Sequence, residues 1–189
     1  WFNTNNHSYG DCTMSQLYVD TITEKTAGNG VQITDLVPKA GSVVQVVSAI
    51  KTDKQTVTST SFVDVSDLSV SITPTSSTSK VLVTFDGHGG HDNQNYFLWN
   101  IVRDSTAIAQ PAGSNPYPAT ANTYVGDSVA SGYAIMKYGM TFLDSPSTTS
   151  ATTYKIQVRT TGGTATVNGR PSNTNGAAIS TITVMEIAG

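Results

Sequence analysis

The sequence predicts an all-β protein, an antiparallel β-sandwich of jelly-roll-like form, and three observations carry that prediction. Ser and Thr make up roughly a quarter of the chain, where Leu, Ala and Gly usually lead. Charged residues are only 12% of the 189, with 16 Gly and 7 Pro. That balance suits short strands joined by turns better than amphipathic helices, which need Glu and Lys faces. From Val43 onward, apolar residues alternate with polar ones at the two-residue period of a half-buried strand. The length fits one well-packed core plus an appendage rather than two large domains.

Residues 1–16 (WFNTNNHSYGDCTMSQ) have no period and are rich in Asn and Ser, so they read as an N-terminal strap, with Trp1 and Phe2 suited to packing on a neighbour. Residues 17–40 hold short β-prone pieces around Gly28-Asn29-Gly30, a turn that reaches positive φ cheaply. They carry too few apolar residues for a core of their own and read as a collar or shaft. The head is expected over 41–189, with eight to ten strands.

Within the head, Leu68, Val70 and Ile72 alternate with Ser69, Ser71 and Thr73 before Pro74. Val81, Val83 and Phe85 line one face of the next run, and Tyr154, Ile156 and Val158 alternate with Lys155, Gln157 and Arg159. Gly162-Gly163 then predicts a hairpin into Thr164–Val167. Three runs are apolar on both faces: VVQVVSAI from Val43, YFLWNIV from Tyr96 and GYAIMKYGMTFL from Gly132. Antiparallel sheets normally leave one face to water, so a second buried surface is expected, from another sheet or another subunit. The closing ISTITVMEIAG places Met185 and Ile187 on one face and Ile182 and Val184 on the other, so the chain ends inside a sheet. Gln110–Ser131, with Pro111, Pro116 and Pro118, reads as the longest loop, and long ordered loops are often functional.

Two passages carry a resemblance. VDTITEKTAGNGVQI, Val19–Ile33, resembles the shaft or collar repeat that precedes the heads of bacteriophage tail-fibre and related virion-fibre proteins. Val43–Gly87, YKIQVRTTGG and the closing TITVMEIAG are similar to strands of the trimeric heads of that family. The resemblance implies a homotrimer on the virion surface, joined to other fibre or tail components, whose head binds a glycan or protein receptor of the host. A threefold interface would also cover the doubly apolar strands. FDGHGGHDNQN and the long Pro/Asn/Tyr loop are where such heads would differ.

Composition narrows the partners. The net charge of -3 and pI near 5.4, with no Lys/Arg cluster, give no footprint for nucleic acid. No apolar run approaches a membrane span, so no membrane insertion is expected. Cys12 is the single cysteine, so packing or association rather than an intrachain disulfide must hold the fold. The start at Trp1 suggests processing or a longer parent chain.

The stretch FDGHGGHDNQN allows two readings. His88 and His91, beside Asp86 and Asp92, could share a metal ion if the glycines fold the backbone back, and a trimer axis would gather three copies of either histidine. The alternative is a glycine-rich bend with solvated histidines, favoured because no HExxH, paired CxxC or Asp-rich calcium loop accompanies them. No cofactor is otherwise expected. Catalysis has no support: Gly-x-Ser-x-Gly is absent, and acids such as Asp53, Asp64, Asp67 and Asp144 sit singly in Ser/Thr-rich turns and read as solvated turn formers. For binding, aromatic rings beside amides suit a sugar, which has a C–H face to stack and a hydroxyl rim to hydrogen-bond. Asn115, Tyr117, Asn122, Tyr124 and Asp127 supply this in one loop, with Asn93 and Asn95 in another, while Phe97 and Trp99 read as core. The expectation is therefore a non-enzymatic trimeric attachment head. The alternatives are a monomeric lectin-like module and, less favoured, a polysaccharide hydrolase.

Overall fold

The computed structural model describes residues 38–92, 94–125, 133–173 and 175–189. The strap and all but the last three residues of the collar lie outside these. The described residues form eleven strands and no helix, in two antiparallel sheets that enclose one core. The expected β-sandwich is present.

The larger sheet contains β1 (Val43–Lys51), β2 (Gln55–Val57), β4 (Lys80–His91), β8 (Met136–Asp144), β10 (Ala165–Val167) and β11 (Ser180–Ile187). The smaller contains β3 (Val63–Ile72), β5 (Tyr96–Arg103), β6 (Thr106–Ile108), β7 (Ala121–Tyr124) and β9 (Thr152–Thr160). Strand β4 is the spine of the larger sheet. It pairs with β11 over Lys80–Asp86 and with β10 over Gly89–His91, while β8 takes its other edge over Val81–Gly89. In the smaller sheet β3, β9 and β5 lie side by side, and β6 and β7 share the far edge of β5.

The two-residue period decides which side chains enter the core. Leu68, Val70 and Ile72, then Val81, Val83 and Phe85, then Tyr154, Ile156 and Val158 are all buried, as their alternation predicts. Each such side chain contributes about 1.5–3 kcal/mol by leaving water. Four rings fill the centre: Trp99 lies 5.4 Å from Phe85, 4.8 Å from Phe97 and 4.8 Å from Tyr138, centroid to centroid.

The structure corrects four expectations. Gly162-Gly163 does not close a hairpin. Both edges of β9 are already paired, with β3 and β5, so the chain crosses to the larger sheet and β10 pairs there with β2 and β4. Second, Asp144 is no solvated turn former. It is buried, Arg103 Nη1 reaches its two oxygens at 2.9 and 2.8 Å, and the Tyr154 hydroxyl donates to it at 2.7 Å, which ties β8 to β5 and β9 across the sandwich. Third, the loop from Gln110 is interrupted by β7, which hydrogen-bonds to the edge of β5.

The fourth concerns FDGHGGH, which is strand through His91 rather than a bend after Phe85. The glycines make room. A Cβ on Gly87 would stand 2.1 Å from the Phe85 ring, one on Gly89 would stand 2.6 Å from Phe97, and one on Gly90 would stand 2.4 Å from the Ala134 carbonyl oxygen. The large aromatic core and the close backbone approach on the opposite face require their absence.

The three doubly apolar runs divide. In β5, Leu98 and Val102 are buried on the face opposite Trp99 and Ile101. On that face Asn100 Oδ1 accepts from Gln110 Nε2 and from Thr120 N, so the segment between β6 and β7 lies against it. In β1 and β8 the outward apolar residues stay open: Val46 is 55% exposed and Leu143 is 48% exposed.

Candidate functional site

The aromatic residues singled out for recognition meet at one end of the smaller sheet's outer face. Tyr96, at the start of β5, has the opposite phase to buried Phe97 and so points outward. It stands in register with Tyr124 of β7, and the two rings lie 5.0 Å apart. Tyr117 returns over the sheet and stacks on Tyr96, with centroids 4.6 Å apart and planes 30° from parallel. Arg159 of β9 places its guanidinium 5.2 Å from the Phe62 ring centroid and 6.0 Å from that of Tyr117. Phe62, Arg159, Tyr117, Tyr96 and Tyr124 therefore form a continuous run across the face.

The predicted amides have distinct places. Asn122, exposed, lies two residues before Tyr124 on the same face of β7. The Asn115 side chain accepts from Tyr117 N at 2.9 Å, an Asx turn that presents the tyrosine. The Asn95 carbonyl accepts from Val125 N, and its side-chain oxygen accepts from the Thr161 hydroxyl at 3.2 Å. The Thr161 hydroxyl in turn accepts from Tyr96 N at 3.0 Å, so Asn95 positions the platform rather than forming it. Asn93 and Asp127 lie outside the described residues.

Sequence reasoning passed over Tyr96, Arg159 and Phe62. Tyr96 read as part of an apolar run and Arg159 as the wet side of a strand, although the burial phase of Phe97 and Trp99 already turns Tyr96 outward. Nothing in sequence spacing brings Phe62 to Arg159.

Electrostatically, the neighbouring part of this face is satisfied. Asp64 accepts from Lys155 Nζ at 2.8 Å and from Gln157 Nε2 at 2.7 Å. The Lys155 hydrogen bond is the main influence that holds the Asp64 carboxyl below its ordinary value. Arg159, by contrast, has no carboxylate partner among the described residues. Its Nη1 donates to the Thr60 carbonyl at 3.4 Å, near the limit of a hydrogen bond.

The two histidines do not converge. Regular pairing through Gly89 and on to His91 puts residues three apart on opposite faces of β4. His88 lies on the outer side, with Nδ1 2.9 Å from the Ile179 carbonyl, which can only accept, so this nitrogen carries the proton. His91 is buried, with Nε2 2.6 Å from the Thr160 hydroxyl and Nδ1 3.5 Å from Asp92 Oδ1. Asp92 Oδ1 also accepts from Thr164 N at 2.7 Å. The Asp92–His91–Thr160 linkage does not activate the hydroxyl: Thr160 donates its proton to the Gly162 carbonyl at 2.5 Å, so it accepts from His91 Nε2, and it is fully buried. The linkage ties the ends of β4 and β9 where the chain crosses between sheets. Asp86, the other acid considered for a metal, pairs with Lys137 at 2.6 Å. Among the described residues no three His, Cys, Asp or Glu side chains gather where they could hold a metal ion.

The chain matches no known protein-family model and no functionally curated protein.

Proposed function

We propose that the chain is the attachment head of a virion fibre, of the bacteriophage tail-fibre kind, and that it holds a host surface glycan against the outer face formed by Tyr117, Tyr96 and Tyr124. The observation that supports this best is the aromatic run itself. Three tyrosines gathered on one face offer flat apolar surface and phenol hydroxyls together, with the Asn122 amide alongside. A sugar ring stacks its C–H face on such rings and hydrogen-bonds through its rim. The role proposed is binding rather than turnover, which the occupation of Asp64 on β3 by Lys155 and Gln157 supports. Single-site affinity would be modest, with several copies supplying avidity.

The same proposal includes a homotrimer packed through the larger sheet. On its outer face Val46, Met185, Leu82 and Leu143 stand opposite one another in register across β1, β11, β4 and β8, making an apolar row. Ser48, Thr183, Thr84 and Thr141 form a parallel hydroxyl row beside it. A nearly neutral row of this kind suits a second copy of itself. The burial of Leu98 and Val102 by the chain's own Gln110–Thr120 segment favours the second reading, a monomeric lectin-like module, because it removes one of the three apolar faces that called for a partner.

The test is binding of purified protein to a glycan array and to candidate host cells, with Tyr117→Ala, Tyr124→Ala and Asn122→Ala made singly and together. Loss of signal in the triple variant, with unfolding unchanged, supports the reading. A signal untouched by all three overturns it.

A further inference from the structure

We infer that Arg159 makes this site selective for an acidic saccharide, one whose rim carries a carboxylate or phosphate. The inference rests on the glycan-binding reading above and names the ligand class for the same face. Arg159 is half-buried, on a strand whose other outward cation, Lys155, is neutralised by Asp64 at 2.8 Å. Among the described residues nothing neutralises Arg159. Two aromatic rings lie beside its guanidinium, Phe62 at 5.2 Å and Tyr117 at 6.0 Å, and one long hydrogen bond to Thr60 O occupies Nη1.

Rings beside a guanidinium restrain its plane and leave its edge donors for a ligand. Of the five N–H donors of an arginine, the described residues engage one. A planar fork restrained in this way matches a carboxylate or phosphate in two-pronged fashion, and less of its freedom is lost on binding than a lysine would lose. Tyr117 is shared between the two functions, since it stacks on Tyr96 and also approaches Arg159. A sugar stacked on the tyrosines would therefore have its anionic substituent within reach of the guanidinium. The anionic group supplies the charge and the tyrosines supply the ring recognition.

The probe set is a panel of uronic-acid oligosaccharides, the same oligosaccharides with the carboxyl reduced to a hydroxymethyl group, phosphorylated oligosaccharides, and neutral ones, measured by surface binding at low and high salt. The expected binder is acidic, weakens at least about tenfold on carboxyl reduction or in Arg159→Gln, and loses little more when both changes are combined. Whether the preferred ligands carry carboxylate or phosphate identifies the source of the anion. Arg159→Lys, which keeps charge without the planar fork, should retain only part of the affinity. Should Arg159→Gln fail to fold, the carboxyl-reduced ligands and the salt dependence of the wild type still decide the matter. A neutral ligand that binds through Tyr124 and is indifferent to Arg159 overturns the inference while leaving the glycan reading intact. Binding to no member of the panel or of the array overturns both.

Discussion

Tyr154 donates its phenol hydroxyl to Asp144 Oδ2 at 2.7 Å across the sandwich, and both residues are buried. Burial is the first cause that pushes the Tyr154 phenol up from its ordinary value, followed by the hydrogen bond to Asp144 and its charge. The phenol therefore stays protonated and remains a donor throughout the working range. With Arg103 Nη1 on both oxygens, the carboxylate is held from the opposite sheet by two different residues. Asp144→Ala strands both, and breaking a buried pair is strongly destabilising; because Arg103 keeps 29% of its side chain exposed, the expected loss is near the low end, about 3 kcal/mol. Tyr154→Phe should cost about 1.5 kcal/mol. Urea midpoints measure both, and an unchanged midpoint for Asp144→Ala would show that the tie carries no stability.

Glu186 should set part of the acid limit of the fold. It is fully buried, and burial alone would raise its carboxyl; hydrogen bonds from Gln45 Nε2 at 2.6 Å and from Thr75 N and Oγ1 at 2.7 Å outweigh that and bring it from 4.5 down to about 2. A lowered value in the folded state means the unfolded chain binds the proton first on acidification. The stabilisation is therefore complete above about pH 4.5 and is lost as pH falls through about 2. In Glu186→Gln the unfolding midpoint should be lower at pH 7 and should fall less steeply between pH 5 and 2. Parallel curves for the two proteins would count against the assignment.

The glycines of β4 and its neighbour separate into two kinds. A Cβ on Gly89 would lie 2.6 Å from Phe97 Cε1 and 3.1 Å from both Thr166 O and Trp99 Cζ2, whereas one on Gly139 of β8 meets nothing within 4 Å. Gly89→Ala should destabilise by about 1–3 kcal/mol through overpacking. Gly139→Ala should be neutral or stabilising by up to about 1 kcal/mol, since it restricts the unfolded chain. The comparison is a thermal melt of the two variants beside the wild type, and equal losses would be evidence against a space-filling role for the first.

The proposed assembly makes its own demand on the outer row of the larger sheet. Val46→Asp with Leu143→Asp places two charges on exposed positions of opposite edge strands, where a monomer should tolerate them within about 0.5 kcal/mol each. If this row joins three copies, light scattering should fall from the mass of three chains to that of one while the unfolding of the subunit is preserved. A trimer that survives the double substitution would place its interface elsewhere.

Much of the architecture was legible because strand phase is a local property. Leu68-Val70-Ile72 and Tyr154-Ile156-Val158 show their buried faces in any register, so the sandwich could be read from them. What could not be read is anything that depends on which edge is already taken. Gly162-Gly163 is a sound hairpin signal in isolation, and it fails because β9 has a partner on each side. Glycine density around His88 resembles a bend, yet there each glycine answers to a different neighbour: Gly87 to the Phe85 ring of its own strand, Gly89 to Phe97 and Trp99 of β5, and Gly90 to the Ala134 carbonyl. At the site, Tyr117, Tyr124 and Asn122 were visible as a local gathering of binding groups. Arg159 and Phe62 join them only through the packing of β9 beside β5 and the return of the loop, which no window of sequence contains.

The segment that carries Tyr117 is fastened at its two ends to one side chain: Gln110 and Thr120 both donate to Asn100 Oδ1, while most residues between them are exposed. Thr120 also plugs the gap in the edge of β5, accepting from Ile101 N and donating to Ile108 O. Such a clasp uncouples the heritable fate of the surface from that of the scaffold. Substitutions and insertions between Pro111 and Pro118 can accumulate without disturbing the rings at the centre, so, on the binding role proposed above, a lineage of these chains could alter its ligand by rewriting about eight residues while inheriting the rest unaltered.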